Sequence, residues 1–263
     1  MPAPTSSRKR RNGDTPERPG VDMRAPLSLL PLSLDGVVFA VGARRIVDGI
    51  SLRLEAGPRT VILGPNGAGK SVLLRLCHGL LTPTAGTVAW NAPEIPGGPR
   101  RQAMVFQRPV LLRRSALGNV RYALKLAGVP YRQREERALE ALRKVGLEGL
   151  AGHSARVLSG GEQQRLALAR VWALHPEVLF LDEPTASLDP GATHEIENVI
   201  AALHAAGTKI VMVTHNLGQA RRLGDEILFL HQGRLLERTP VELFFKHPSS
   251  SEAARFLEGE LPW

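Results

Sequence analysis

The chain has 263 residues, of which 43% are hydrophobic, and it carries a formal net charge of +9 with a single cysteine. This length suits one α/β domain with an inserted lobe and excludes two complete domains of that size. One cysteine excludes an internal disulfide, and no apolar run approaches the roughly 18 residues that cross a bilayer, so we expect a soluble chain.

Residues 1–26 are rich in proline, arginine and serine and contain few apolar side chains. Such a segment buries too little surface to fold, so we predict a disordered basic tail. The basic run at residues 8–11 gives only weak support for nucleic-acid binding, because no aromatic stacking pattern or zinc spacing accompanies it.

The next residues predict two strands of an antiparallel β layer, 34–41 and 50–54, joined by a turn at Asp48 and Gly49. The apolar run 61–63 then leads into a glycine-rich loop. Small residues let backbone N–H groups face phosphate oxygens where a helix begins. A lysine adds charge near the outer phosphates, and a serine hydroxyl can bind nucleotide-associated magnesium. The predicted phosphate-binding residues are Gly64, Pro65, Asn66, Gly67, Ala68, Gly69, Lys70 and Ser71.

Alone, this loop is compatible with kinases, GTPases and motor ATPases. Further along, the pattern predicts strands at 87–90 and 104–106, separated by a Pro/Gly loop at 91–100. From residue 115 to about 150 the chain becomes helix-forming, which predicts an inserted helical lobe.

Two apolar runs, 178–181 and 209–213, predict central parallel strands covered on both faces. Asp182 and Glu183 directly follow the first run, so two carboxylates emerge at a strand end and point in different directions. One can help hold magnesium while the other faces a water aligned on the terminal phosphate. Residues 226–236 predict a hairpin, and the remainder predicts C-terminal helices.

Residues 158–165, LSGGEQQR, place a second glycine pair before an apolar helix. The start of that helix and the Ser159 hydroxyl form a second predicted anion site. Two phosphate-facing helix ends in different lobes indicate that two subunits meet head to tail, with each subunit supplying one half of a shared site.

LSGGEQQR matches the signature motif of ABC transporter ATPases, and the chain resembles that family over about residues 34–238. In the resemblance, 64–71 is the P-loop, Gln107 the Q-loop glutamine, Asp182 the Walker B aspartate, 187–189 the D-loop and His215 the switch histidine. The implied fold is a P-loop NTPase core of ABC type with an antiparallel β layer and an inserted helical subdomain.

The resemblance implies ATP and Mg²⁺ as cofactors and assigns roles to single residues. Glu183 is the implied general base, His215 the γ-phosphate contact, and Gln107 a contact of both magnesium and the lytic water. Ser71 and Asp182 complete the implied metal ligands. The γ-phosphate of the opposite subunit would meet Ser159, Gly160 and Gly161. Val41 occupies the place where the family usually stacks an aromatic residue on adenine, and Phe39, expected on the same strand face, is the alternative.

The implied domains are the tail, 1–26; the ATPase domain, 27–240, with its helical subdomain at about 108–172; and a C-terminal helical extension, 241–263. The implied partners are a second copy of the chain, integral membrane permease subunits and, through them, a periplasmic or extracellular substrate-binding protein. The implied location is peripheral, at the cytoplasmic face of the inner membrane.

Segments 104–115, 214–223 and 256–261 most resemble importer ATPases for oxyanions, particularly tungstate, with molybdate or phosphate as alternatives. Within this resemblance, residues 108–114 belong to a groove that receives a coupling helix of the permease. The competing interpretations are a soluble ABC ATPase acting on ribosomes or DNA and, more weakly, a P-loop kinase, which has no need of LSGGEQQR.

Overall fold

The computed structural model describes residues 28–92 and 101–260. The predicted disordered tail and most of the predicted Pro/Gly loop lie outside the described residues. In chain order the elements are β1 (Leu32–Val41), β2 (Arg44–Leu54), β3 (Thr60–Leu63), α1 (Lys70–His78), β4 (Ala85–Trp90), β5 (Gln102–Val105), α2 (Ala116–Leu126), α3 (Tyr131–Lys144), a 3₁₀ turn (Glu148–Leu150), α4 (Gly160–Leu174), β6 (Val178–Asp182), α5 (Pro190–Ala205), β7 (Lys209–Val213), α6 (Leu217–Leu223), β8 (Glu226–His231), β9 (Arg234–Pro240), α7 (Val241–Lys246) and α8 (Ser251–Leu257).

The strands form two sheets. One is antiparallel, with the order β2-β1-β4, and the other has the order β5-β6-β7-β3-β8-β9, in which all neighbours are parallel except β8 and β9. Every residue of β3, β6 and β7 is buried, as predicted for apolar runs covered on both faces. Alternate residues of β3 enter different cores: Val61 and Leu63 face the helical side, while Ile62 faces the antiparallel sheet.

The predicted turn at Asp48 and Gly49 is wrong. The β1–β2 hairpin turns at residues 42–43, and Asp48 and Gly49 lie inside β2 as a bulge, where the register jumps from Val37 opposite Ile50 to Phe39 opposite Val47. Gly49 has a φ of +68°, so the dipeptide supplies the backbone conformation that a bulge shares with a turn. The bulge is held from the β8–β9 turn, because the Asp48 N–H donates to the Gly233 carbonyl at 2.9 Å.

The predicted helical lobe consists of α2, α3 and the first part of α4. These helices bury Val120, Leu124, Ala138, Leu142 and Leu166 against one another. Ser115 begins α2 as its N-cap, because its hydroxyl accepts the Gly118 N–H at 3.0 Å. The lobe boundaries at 108 and 172 stay a prediction, and α4 itself continues to Leu174.

The predicted C-terminal helices are α7 and α8, which pack onto the sheet through Phe244 and Phe256. Both rings contact Phe229 of β8, with centroid separations of 5.8 and 5.3 Å. Among residues 28–92 and 101–260, no helix combines the length and apolar character that crossing a membrane requires.

Candidate nucleotide-binding site

The glycine-rich loop connects β3 to α1 at the carboxyl end of the parallel strands. At two of its glycines there is no room for a side chain. Gly64 and Gly69 have φ angles of +147° and +96°. A Cβ would lie 2.0 Å from the Leu230 carbonyl oxygen at Gly64 and 2.5 Å from the Ile46 carbonyl oxygen at Gly69. The loop is therefore fixed between β8 and β2, with its backbone close to both.

Lys70, the first residue of α1, points back into this loop. Its side chain is buried at 7% exposure, and Nζ donates to the carbonyl oxygens of Gly64 at 2.7 Å and Pro65 at 3.0 Å. Burial lowers the pKa of Lys70, and the nearby carboxylates of Glu183 and Asp182 partly offset that effect. A buried ammonium is costly unless an opposite charge pairs with it, so Lys70 is suited to an anionic ligand in this loop.

Ser71 and Asp182 meet beside the loop. The Ser71 hydroxyl donates to Asp182 Oδ1 at 2.6 Å, and Asp182 is only 4% exposed at the end of β6. Hydroxyl and carboxylate oxygens are ligands that Mg²⁺ prefers, so this pair fits the predicted metal position. The described residues contain no cluster of three or more His, Cys, Asp or Glu side chains that could hold a metal ion. A magnesium ion held by this pair would take its further oxygen ligands from phosphate, water and the predicted ligand Gln107.

Glu183 directly follows the last residue of β6, and its carboxylate has a different partner from that of Asp182. Its Oε2 lies 3.1 Å from Nδ1 of His215, and its N–H donates to the Val213 carbonyl at 3.0 Å. Its φ of +49° is rare for a residue with a side chain, and such strain often occurs where a site requires one orientation. Two of the three predicted catalytic side chains, Glu183 and His215, thus form a pair at the ends of neighbouring strands.

Gln107 and Val41 lie around this centre, and both are exposed. Gln107 lies two residues after the end of β5. Val105 pairs with Leu181, so Gln107 lies at the carboxyl end of the strands, where β6 also ends. Val41 is 62% exposed at the tip of the β1–β2 hairpin. Phe39, the predicted alternative two residues earlier on β1, is partly buried against the core that this sheet covers, and the choice between Phe39 and Val41 as the adenine contact stays a prediction.

Ser159 begins α4 with a capping box. Its hydroxyl accepts the Glu162 N–H at 3.3 Å, while Glu162 Oε2 accepts the Ser159 N–H at 2.7 Å and the Ser159 hydroxyl at 2.9 Å. These hydrogen bonds lower the pKa of Glu162, with the backbone N–H of Ser159 as the largest cause. The predicted anion site at this helix end thus already contains a carboxylate of its own chain.

Gly160 and Gly161 bring α4 close to the D-loop and α5. A Cβ at Gly161 would lie 2.7 Å from the Ala192 Cβ, and one at Gly160 would lie 3.3 Å from Leu188 Cδ2. A cavity of about 490 Å³ opens here, lined by residues 159–162, 165, 187–189, 191, 192 and 195. None of these lining residues belongs to the P-loop. The structure therefore brings Lys70, Ser71, Asp182, Glu183 and His215 together and places the signature residues in a separate cavity.

One residue without a predicted role connects these regions. Gln164 is buried in α4, and its Nε2 donates to the Phe106 carbonyl at 3.2 Å, directly before Gln107. Its position within LSGGEQQR, one helical turn after Gly161 and before Leu168, indicated the buried face of the helix. The partner, 58 residues earlier in the chain, could not be found from that spacing.

The fold and the P-loop define a P-loop nucleotide-binding protein, and comparison with known proteins identifies the family. The family model described as ABC transporter matches residues 47–186. The chain is 39% identical over 209 residues to the tungstate uptake system ATP-binding protein TupC of Peptoclostridium acidaminophilum, covering 79% of this chain and 98% of that protein. It is 35% identical over 274 residues to phosphate import ATP-binding protein PstB 2 of Natronomonas pharaonis, covering 98% and 93%.

Other matched relatives are named for import of methionine, glutamine and Fe(3+) ions. Among solved structures, the post-hydrolysis dimer of the ATP-binding cassette MJ0796 with ADP and Pi superimposes with a TM-score of 0.70. It is 29% identical and covers 80% of this chain and 98% of its own. The chain therefore belongs to the ABC transporter family, and it is an ABC ATPase.

Proposed function

We propose that this chain is the ATP-binding subunit of an ABC importer and that it binds and hydrolyses ATP as a head-to-tail homodimer. The separation of the P-loop from the signature cavity carries the proposal. No residue that lines the signature cavity belongs to the P-loop, so neither region of one chain completes the other. A second copy would bring the signature end of one subunit onto the P-loop of the other, and the solved relative with ADP and Pi is dimeric.

Within this site we assign roles by position. P-loop N–H groups and Lys70 hold the phosphates, while Ser71, Asp182 and Gln107 hold Mg²⁺, whose positive charge stabilises the triphosphate oxygens. Glu183 accepts the proton of the attacking water, and His215 orients that carboxylate and contacts the γ-phosphate. Val41 packs against the adenine. Ser159, Gly160 and Gly161 contact the γ-phosphate held by the partner.

A groove on the helical lobe supports coupling to a membrane protein. This groove, of about 680 Å³, lies between residues 102–112 and the faces of α2 and α4, and it is mainly apolar. Val110 and Leu126 on its rim are 75% and 71% exposed. Exposed apolar side chains around a groove are typical of a surface that receives an amphipathic helix. We infer that a cytoplasmic helix of the permease docks there.

The Gln164 contact gives this groove a route to the nucleotide. Phe106 lines the groove, its carbonyl accepts the Gln164 amide, and Gln107 follows it directly. Movement of the signature helix on dimer closure would thus act on groove-lining residues, and its reversal after hydrolysis would reset them. On this basis the chain acts peripherally at the cytoplasmic face of the inner membrane, with a substrate-binding protein on the other side.

For the cargo we propose an oxyanion, tungstate first and molybdate or phosphate next. The relatives named for tungstate uptake and phosphate import support this class, and relatives named for methionine at similar identity compete with it. No residue of this chain is expected to contact the cargo, so the partners decide the specificity.

The test is co-expression of this chain with the permease and substrate-binding protein encoded beside it. The complex is reconstituted in vesicles, and ATP hydrolysis is measured with tungstate, molybdate, phosphate and methionine in turn. We expect co-purification with the permease and stimulation by tungstate. Stimulation by methionine alone would contradict the cargo class. Recovery with ribosomes or DNA and without a permease would contradict transport.

A further inference from the structure

The helical lobe carries a second cavity, which is basic. It measures about 440 Å³ and lies between one face of α2 and the start of α3, and we call it the basic cavity. Its lining residues are Arg114, Gly118, Arg121, Tyr122, Lys125, Tyr131 and Arg134. Four of these seven residues are cationic, and none is acidic.

Local carboxylates do not balance this charge. Arg121 pairs with Glu135 at 3.2 Å. Arg114 and Lys125 have no carboxylate partner among the residues that the structure describes. Exposed cations commonly remain solvated, so the positive charge alone does not indicate a binding site. The arrangement of these side chains distinguishes this cavity from a scattered basic surface.

Two tyrosines hold the guanidinium groups in place. The Arg114 guanidinium lies 5.2 Å from the ring centroid of Tyr122, and those of Arg121 and Arg134 each lie 5.9 Å from the centroid of Tyr131. Cation–π contacts of this kind restrict the guanidinium groups and reduce the entropy that binding must overcome. Oriented guanidinium groups suit carboxylates, which they bind through paired hydrogen bonds.

The basic cavity adjoins the apolar groove along α2. Tyr122 lines both, whereas Ala123 and Leu126 line only the groove, and Arg121 and Lys125 line only the basic cavity. The helical spacing of these residues makes the two surfaces neighbouring faces of one helix. A segment seated in the groove would therefore extend its flank over the basic cavity.

We propose that the basic cavity binds acidic side chains of the same permease segment whose apolar face occupies the groove. The inference rests on the proposed docking function and adds the chemistry of the partner: a helix with one apolar face and, beside it, at least two Asp or Glu residues. Charge complementarity and continuity with the groove favour this occupant. A concave cavity between two helices suits side chains better than the flat surface of a bilayer.

The test measures the affinity of the full chain for the detergent-solubilised permease at two salt concentrations. The cavity variant is Arg121→Gln with Lys125→Gln. The matched control is Arg132→Gln with Arg137→Gln, which removes the same charge from exposed positions of α3 outside the cavity. Val110→Glu tests the groove itself. Basal ATP hydrolysis by the isolated chain reports the folding of every variant.

We expect the cavity variant to bind the permease about tenfold more weakly at low salt, with a smaller loss on adding salt than the parent shows. The control should stay within about twofold of the parent. Wild-type affinity of the cavity variant, while Val110→Glu fails to bind, would overturn this inference and leave groove docking intact. Wild-type binding by Val110→Glu as well would contradict the proposed docking function.

A second arm separates the permease from a lipid surface. Sedimentation with phosphatidylglycerol and phosphatidylcholine vesicles, without permease, is compared for the parent and the cavity variant. Loss of vesicle binding by the cavity variant with unchanged permease affinity would identify an anionic headgroup as the occupant and overturn the inference. An Arg121→Glu variant rescued by an acidic-to-lysine substitution in the permease segment would support it directly.

Discussion

Two helices in this chain, α1 and α4, begin at predicted phosphate positions. They differ in whether a side chain of the chain itself caps the helix start. α1 begins at Gly69 with no side-chain cap, and its first residues lie within a buried loop. α4 begins at Ser159 with a complete capping box from its own Glu162, on an exposed surface. The first few N–H groups of any helix lack partners inside it. At α1 no side chain accepts them, whereas at α4 the Ser159 hydroxyl accepts the Glu162 N–H and the Glu162 carboxylate accepts the Ser159 N–H.

The difference indicates how the two halves of a shared site could act at different times. The P-loop side is assembled within one chain, since Lys70 contacts the loop, Ser71 contacts Asp182, and Glu183 contacts His215. On the signature side, Glu162 accepts the N–H and the hydroxyl of Ser159, so these two donors are paired within one chain. In the proposed dimer, the γ-phosphate of a second subunit would therefore approach a helix start that already carries a negative charge.

The largest expected effect is on the P-loop side. Glu183→Gln should retain ATP binding but slow hydrolysis by about 10²-fold to 10⁴-fold, because the amide cannot accept the proton of the attacking water. The variant should accumulate as an ATP-bound dimer. Phosphate release and gel filtration with ATP measure both effects, with Glu140→Gln on exposed α3 as the control. Hydrolysis at the parent rate would show that Glu183 is not the general base.

On the signature side, Ser159→Arg should weaken ATP-dependent dimerisation by more than about 100-fold, since it places bulk and charge where the second subunit would close. ATP binding by the monomer should persist, because the signature cavity shares no residue with the P-loop. Ser159→Ala is the matched control: it loses the cap but adds no bulk. In the Glu183→Gln background, undiminished dimer formation by Ser159→Arg would rule out a shared site.

Lys70→Met tests whether the buried cation serves the ligand. Removing a charge-assisted contact to phosphate should weaken ATP binding by about 10-fold to 100-fold. Folding should be retained, because methionine fills the same volume and removes an ammonium whose pKa is lowered by burial. Titration with ATP and thermal unfolding check the two expectations. ATP affinity equal to that of the parent would show that Lys70 serves only the two loop carbonyls.

The features that the sequence predicted well depend on local pattern. The glycine spacing at 64–69 specifies a loop that only glycine can form beside Leu230 and Ile46, and unbroken apolar runs specify strands buried on both faces. Asp48 and Gly49 were misinterpreted because a turn and a bulge require the same backbone. The Gly233 carbonyl, far along the chain, decides between them.

Two contacts of the signature helix show where sequence reasoning stopped. The hydrogen bond from Gln164 to Phe106 depends on how the lobe packs against β5. A local sequence pattern carries no information about that packing. The capping box of Ser159 and Glu162 was within reach, since a serine followed three residues later by glutamate is a recognised helix start.

The smallest expected effect concerns that capping box. Glu162→Gln keeps a side chain that can cap the helix, because glutamine serves at this position as glutamate does, but it removes the negative charge. ATP-dependent dimerisation should therefore strengthen by about twofold to fivefold at low salt, and the gain should shrink as salt is added.

The measurement belongs in the Glu183→Gln background, where hydrolysis does not deplete the dimer, and Glu252→Gln on exposed α8 is the control. Equal or weaker dimerisation of Glu162→Gln would mean that the carboxylate moves aside without cost when the partner's phosphate arrives. A gain that vanishes at high salt would show instead that the two helix starts differ in charge, and that α4 holds its own anion until a second subunit supplies another.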